Sequence, residues 1–349
     1  MVTEMQTTIE IVDPVFTEKK YNALDRFFIS LINDERDLPF IYLCIKLLLV
    51  VLPVSIYLFI PGNFNWWIAI GYYLVQLVFL AGPYILMLHN TSHRSFFKKK
   101  YSFLNNIIPW VIGPFFGETP ESYFAHHLGM HHAENNLPPD HSSTMKFQRD
   151  SFIDFLKYYG EFILLGIYQL YQYLTFKKRF KIRDKFATGE ASFWILCIAL
   201  SFFNWQATLA VFVIPVFLYR FLMMAGNWGQ HAFIDPADPG NNYRNSITCI
   251  NSDYNKKCFN DGYHIGHHVR PAMHWTEMPV EFQNNIQTYI AERAIVFRKL
   301  DFFSVWLFLM LKRYNWLTNF YVQLDPLNPK SKTEIEALLK YRTRKFQNI

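Results

Sequence analysis

The chain has 349 residues, of which 51% are apolar and 19% aromatic, and its formal net charge at pH 7 is +6. Charged residues make up only 18%, against about 25% in an ordinary soluble domain, so the composition favours a membrane protein. The four cysteines are scattered and form no CxxC pair, which argues against a disulfide framework and against a zinc thiolate site. The basic residues stand beside apolar segments, where they more often set topology than bind nucleic acid.

The first apolar region predicts a transmembrane hairpin. A bilayer core of about 30 Å needs about 20 apolar residues in a helix. Residues 40–60 meet this requirement with a single charge, Lys46, and residues 64–88 meet it with none. The break Pro61-Gly62-Asn63 separates the two segments, so we predict two spans joined by a tight turn.

The second apolar region predicts another hairpin. Residues 191–219 carry no charge. This segment is long for one span and short for two, and it contains the polar break Asn204-Trp205-Gln206. We therefore predict two short spans, at about 187–203 and 207–225, extended at their ends by polar residues.

Loop charge predicts the orientation of these spans. Segments 94–100 and 177–185 are rich in Lys and Arg, whereas the breaks at 61–63 and 204–206 carry neither. The positive-inside rule then makes both basic segments and both termini cytoplasmic. A rival layout, in which 162–176 is a span and the second apolar region is a single helix, would put 177–185 outside.

Three shorter apolar segments remain. We predict that 103–116 and 162–176 are helices lying along the membrane, and that 302–317 is either another such helix or one that packs against the cytoplasmic part. The predicted fold is an all-α integral membrane protein, a single domain over 1–349. Its four transmembrane helices form two hairpins, and a cytoplasmic helical cap carries a metal site.

Histidines concentrate in the predicted cytoplasmic part, and several are spaced i, i+3 or i, i+4. Such partners on a helix lie about 5–6 Å apart between Cβ atoms, which suits imidazoles that converge on one metal ion. We expect His141 to be a helix cap or a solvated side chain, and we expect His126 and His274 to pack or to support a ligand. The other nine are enough for two metal ions, and imidazole suits zinc, copper, iron and nickel alike. These candidate ligands are His89, His93, His127, His131, His132, His231, His264, His267 and His268.

Four short motifs carry a resemblance to a known family. They are HNTSH (89–93), HHLGMHH (126–132), NWGQH (227–231) and HIGHH (264–268). In order and spacing this set resembles the three histidine boxes, and the intervening NxxxH element, of the membrane fatty acid desaturase and hydroxylase superfamily. The resemblance covers roughly residues 40–280.

The resemblance implies a non-haem di-iron centre, with two iron ions as cofactor and O₂ as co-substrate. The nine candidate histidines would be its ligands, and Asn227 would contribute through a bound water. Ligating histidines need an acceptor on their other ring nitrogen. Carboxylates close in sequence are the candidates for that role, namely Glu118, Glu121, Glu134, Asp235, Asp261 and Glu277.

The implied function is O₂-dependent desaturation of a fatty acyl chain held on lipid, CoA or acyl carrier protein. Hydroxylation of a fatty acyl, alkane or sphingoid chain is the alternative, because the first two boxes look like those of both acyl-lipid desaturases and alkane hydroxylases. No HPGG haem-binding element occurs, so an external donor of the ferredoxin or cytochrome b5 type is expected. The location would be a bacterial inner membrane or the endoplasmic reticulum.

A third hypothesis is a histidine-rich metal transporter or sensor without redox chemistry. Such proteins put ionisable ligands within their spans. Here the histidines lie outside the predicted spans, which favours the enzyme.

Overall fold

The computed structural model describes residues 9–347, and chain segments that alternate along the sequence form two units. The sheet unit comprises residues 9–16, 134–164 and 224–347. The bundle unit comprises residues 17–133 and 165–223. The single domain predicted over 1–349 stays a prediction.

The bundle unit is built from helices. Its α-helices are Ala23–Leu31, Leu38–Phe59, Trp66–Val75, Ala81–His93, Ser122–His126 and Phe180–Thr208. Tighter 3₁₀ turns lie at Glu35–Asp37, Lys99–Asn106 and Gly113–Phe116, and wider π turns at Gln76–Leu80, Ile107–Ile112, His127–His131 and Leu209–Val213. Three helices, His132–Glu134, Phe152–Phe176 and Ile214–Gln230, include residues of both units.

Among residues 9–347, three helical runs are long and apolar enough to cross a membrane. They are Glu35–Phe59, Trp66–His93 and Phe180–Gln230. The first two coincide with the predicted spans at 40–60 and 64–88. The third has 51 residues, which at about 1.5 Å per residue is far more than one bilayer crossing requires.

The third run is interrupted at Asn204, where the polar break was predicted. Asn204 has non-helical backbone angles, with φ −155° and ψ 93°. Its side-chain oxygen accepts a hydrogen bond from the Ala207 backbone N–H at 3.1 Å, which is the way a cap residue starts a helix. Its side-chain nitrogen donates to the Leu58 carbonyl at 3.3 Å, so the break lies beside the end of the first run.

A buried ion pair joins the two sides of this break. Glu190 and Arg220 lie 3.6 Å apart and are 5% and 8% exposed. Thr119 connects them, because its hydroxyl donates to Glu190 at 2.5 Å and accepts from Arg220 at 3.0 Å. Hydrogen bonding of this kind is what makes a buried charge pair tolerable. Apolar packing surrounds it, with Leu58, Phe193 and Val211 in one cluster.

The predicted in-plane segments differ in form. Residues 103–116 fold as 3₁₀ and π turns and not as one α-helix, because Pro109 and Pro114 cannot donate the hydrogen bonds that an α-helix needs. Residues 162–176 lie in the longer helix Phe152–Phe176. Whether these segments lie along a membrane stays a prediction.

The sheet unit contains a small parallel sheet that the all-α prediction missed. Strand Ile247–Ile250 pairs with Ile295–Arg298. The unit's helices are Asn242–Asn245, Asp253–Lys257, His264–Val269, Met278–Asn284, Ile286–Ala291, Phe302–Met310, Tyr314–Phe320 and Lys332–Arg342. Residues 302–317 form two of them, and their buried side chains share a core cluster with both strands. This segment therefore packs against the rest of the sheet unit, and whether that unit is a cytoplasmic cap stays a prediction.

Arg149 ties the last helix to the rest of the sheet unit. The guanidinium is fully buried, and burial lowers its pKa to about 9, so it stays charged at pH 7. It donates to backbone carbonyls from three parts of the chain, which are those of Thr144, Met145, Phe147, Ala232, Arg342 and Arg344.

We expect Arg149→Met to destabilise the sheet unit by at least about 3 kcal/mol, because several buried carbonyls would lose their donor at about 1–3 kcal/mol each. Arg298→Met, at an exposed position of the second strand, is the control and should change stability little. Thermal unfolding in detergent measures the loss, and limited proteolysis should cleave the segment after Arg342 faster in Arg149→Met alone. Equal stability of the two variants would contradict this role.

Candidate metal centre

The structure buries most of the predicted ligands. Seven are at most 8% exposed, namely His89, His127, His131, His231, His264, His267 and His268. His93 and His132 are half-buried. Burial of so many imidazoles away from water is unusual for a fold and ordinary for a metal site.

In the bundle unit, four histidines form what we call the bundle set: His89, His93, His127 and His132. One ring nitrogen from each lies within 4.8 Å of the others. His127 Nε2 is 2.9 Å from His93 Nε2 and 3.1 Å from His132 Nε2. Two nitrogens bound to one metal at about 2.0–2.1 Å lie about 2.8–3.4 Å apart when their bonds meet at about 90–109°. The spacing of the set therefore fits a shared metal ion.

A π turn sets the register of this set. The turn spans His127–His131, and the His132 backbone N–H donates to the His127 carbonyl. This i, i+5 bond inserts one residue per turn, so His132 comes onto the face of His127. His131, expected at i, i+4 to converge with His127, instead lies with its ring centroid 5.8 Å from that of His127.

In the sheet unit, His231, His264 and His268 form what we call the sheet set. His264 Nε2 lies 3.3 Å from His231 Nε2 and 3.0 Å from His268 Nε2. His264 and His268 are one turn apart on the helix His264–Val269, as their i, i+4 spacing predicted. His267 shares the helix, but its ring centroid is 5.9 Å from that of His264, so it does not join these three.

Burial favours the neutral form of the His127 ring. It lowers the pKa of His127 well below its usual range, and His132, His89 and His93 lower it further. A metal ion binds the neutral imidazole and competes with its proton. His127 is thus in the form that a metal ligand requires.

Asn227 and His231 lie one turn apart at the end of the helix Ile214–Gln230. The Asn227 amide nitrogen donates to the Ser142 carbonyl at 3.1 Å and to the Tyr158 hydroxyl at 2.7 Å. The side chain is thereby held in one orientation. Its contribution through a bound water stays a prediction.

The acceptor beside His231 was missed from the sequence. His231 Nδ1 lies 3.0 Å from the backbone oxygen of Asn245 and 3.1 Å from its side-chain oxygen. The predicted acceptors are all carboxylates, and nothing in the sequence marks an asparagine fourteen residues away. Of those carboxylates, Glu121 accepts from Trp110 at 2.9 Å, and Asp235 pairs with Arg342 at 2.7 Å.

Glu118 is a third of the six candidate carboxylates. Glu118 lies 3.4 Å from the Ser122 hydroxyl, and burial raises its pKa to about 7. The expectation for Glu134, Asp261 and Glu277 stays a prediction.

The three remaining histidines differ in their surroundings. His141 is exposed and His126 half-buried, and the His126 ring lies parallel to that of His131. His274 is buried, and its Nδ1 accepts from the Thr276 hydroxyl at 2.7 Å. Its ring packs 5.3 Å from Trp275. The roles expected for His126, His141 and His274 stay predictions.

Comparison with known proteins gives one positive result. A family model described as fatty acid desaturase matches residues 64–301, which include all four motifs. Searches of curated proteins and of solved structures returned no match.

Two glycines of the NWGQH region offer a test of how closely this helix is held. A Cβ on Gly229 would lie 2.3 Å from the Phe302 carbonyl oxygen, whereas a Cβ on Gly226 would meet nothing within 4 Å. We expect Gly229→Ala to push the helix from its place, to cost about 1–3 kcal/mol or more, and to lower the metal content.

Gly226→Ala is the matched control in the same helix. It should be as stable as the wild type or slightly more so, because Ala is the better helix former by about 1 kcal/mol. Thermal unfolding and metal per chain are the measurements. Full metal content in Gly229→Ala would contradict the close packing.

Proposed function

This chain belongs to the fatty acid desaturase family, and we propose that it introduces a double bond into a fatty acyl chain with O₂ as oxidant. Membership makes it an oxidoreductase that acts on fatty acids. The observation that carries the finer proposal is the gathering of imidazoles, most of them buried, into two sets with metal-ligand spacing.

We propose that two iron ions bind to the nine histidines. The bundle set would hold one ion and the sheet set the other, with His131 and His267 as further ligands. Imidazoles alone are neutral and leave the ions with their full positive charge, which favours binding of O₂ and its reduction products. Bound iron would supply an oxidant strong enough to take hydrogen from an unactivated C–H bond.

The protein's own residues have three tasks in this proposal. The histidines hold their ring nitrogens in fixed positions, so little reorganisation is needed when metal binds. Burial excludes water, which would otherwise consume the oxidant. The apolar helices of the bundle unit provide surroundings in which an acyl chain is as soluble as in lipid.

The balance of the reaction defines the partners. Desaturation removes two hydrogens from the chain and reduces O₂ to two waters, so two electrons and two protons must enter. The chain carries no HPGG element, and we propose an external donor of the ferredoxin or cytochrome b5 type. Lys99, Lys100, Lys177 and Lys178 are exposed and would attract an acidic donor, whereas Arg94 is paired with Asp34 at 2.6 Å.

Hydroxylation is the second candidate, because the same centre would perform it. Both reactions begin with removal of one hydrogen and differ in whether a second hydrogen leaves or an oxygen enters. The HxxxH and HxxxHH spacings of the first two boxes resemble those of alkane hydroxylases as well as acyl-lipid desaturases. The substrate carrier, whether lipid, CoA or acyl carrier protein, is open within this proposal.

Analysis of host lipids tests the reaction. We expect cells that express the chain to gain new unsaturated fatty acids, detected by gas chromatography, and cells that express His268→Ala to gain none. Hydroxylated products without new double bonds would contradict desaturation and support hydroxylation. About two irons per purified chain are expected, and zinc alone without O₂ consumption would favour the metal transporter or sensor.

We also propose a topology of four spans with both termini and the histidines on the cytoplasmic side. The break at Asn204 supports it, because a cap there starts a new helix beside the end of the first span. The Tyr73 hydroxyl donates to the Ala210 carbonyl and the Tyr219 hydroxyl to Gln76. The second and fourth spans therefore run side by side in the same direction.

Cysteine labelling tests this topology. In a background without the native cysteines, we expect Asn63→Cys and Trp205→Cys to react with a membrane-impermeant maleimide on intact cells or sealed vesicles that expose the non-cytoplasmic side. Lys181→Cys should react only after the membrane is opened. Labelling of Lys181→Cys from that side would instead support the rival layout, with 162–176 as a span.

A further inference from the structure

The orientation of the His231 ring is determined by Asn245. Both atoms near His231 Nδ1, the backbone and side-chain oxygens of Asn245 at 3.0 and 3.1 Å, are acceptors. Nδ1 must therefore carry the proton, and Nε2 keeps the free electron pair. That Nε2 lies 3.3 Å from His264 Nε2, in the sheet set.

The assignment of oxygen and nitrogen in the Asn245 amide is also determined. Its Nδ2 lies 2.7 Å from the Asn135 carbonyl and 2.8 Å from the Pro239 carbonyl. Both of these groups only accept, so nitrogen and not oxygen must face them. The oxygen is left to face His231. A carboxylate at this position would bring its second oxygen against two carbonyls, which explains why an amide stands here.

A closed set of hydrogen bonds holds Asn245 in turn. Asn136 donates to the Asn245 side-chain oxygen at 2.9 Å and accepts from the Thr144 backbone N–H at 2.9 Å. The Thr144 hydroxyl then donates to the His231 carbonyl at 2.9 Å. Asn136, Thr144, His231 and Asn245 are all fully buried.

The backbone is strained where it carries this set of hydrogen bonds. Asn135 and Asn136 both have positive φ, 52° and 58°, a conformation that costs free energy for residues with a Cβ and persists where surrounding contacts enforce it. Strain of this kind concentrates at functional positions. Segment 135–144 contains no predicted iron ligand, yet its residues fix the environment of one.

We propose that Asn245, supported by Asn136, is a positioning residue that fixes the protonation and direction of His231, so that Nε2 is presented to a metal ion. The inference rests on the proposed iron site and extends it. Neutral amide and peptide acceptors leave His231 a weaker base than a carboxylate would, and partners of this kind tune both the orientation and the donor strength of a ligand.

The test compares three asparagine-to-alanine variants of the full chain, purified in detergent and loaded with ferrous iron. Asn245→Ala and Asn136→Ala should bind iron about 10–100-fold more weakly than the wild type, by competition with a chelator. The Mössbauer spectrum of the bound iron is the second measurement. We expect a changed signal from one of the two irons, because His231 serves only one.

Asn255→Ala is the matched control. Asn255 is also fully buried, and its side chain bonds the Cys249 carbonyl and the Gly262 N–H. Asn255→Ala should lower the unfolding temperature yet leave the iron affinity and the Mössbauer spectrum unchanged. A spectrum like the wild type in Asn245→Ala, or the same loss of affinity in all three variants, would overturn the proposal and leave a purely structural role.

The test of Asn245 is independent of the test of the proposed desaturation. Wild-type protein that binds iron, depends on Asn245 for it and yet leaves host lipids unchanged would contradict the desaturase proposal. The role of Asn245 would then still be supported by the affinity and the spectrum.

Discussion

Close contact between imidazole rings is the constraint on which the rest of this structure depends. Ring nitrogens in each set approach to 2.9–3.3 Å. At such distances two protonated rings would repel strongly, and burial lowers the pKa of His93 and of His127. The folded chain therefore has to hold the rings together by other contacts, in an arrangement that could hold a metal ion.

Rigid backbone contacts provide much of that hold. Gly229, between Asn227 and His231, lies so close to the Phe302 carbonyl that no Cβ fits, and Gly189 stands equally close to the Pro120 carbonyl. Such contacts bring a backbone against a neighbouring element without a side chain between them. Arg149 adds hydrogen bonds that connect the Ala232 carbonyl, next to His231, with the last helix. The positions of the predicted histidine ligands thus depend on residues that are distant in sequence.

Buried polar groups in the apolar bundle serve the same end. The buried Glu190–Arg220 pair, with Thr119 between its partners, lies in the third long apolar run. A charged pair in such surroundings is costly and needs complete hydrogen bonding. Thr119 stands shortly before the helix that leads into His127, so the pair fixes the chain just ahead of the second histidine motif.

The sequence by itself marked the histidines that the structure gathers into two sets, the long apolar runs and the break at Asn204. These features depend on residue type and local spacing, and both can be read directly from the sequence. Only the tertiary structure decided that His132 and not His131 joins His127, that His267 lies apart from His264, and that Asn245 accepts from His231. A π turn differs from an α turn by one hydrogen bond and has no signature in composition. The partner of a ring nitrogen, like the pairing of two short strands, is chosen by contacts between segments far apart in the chain.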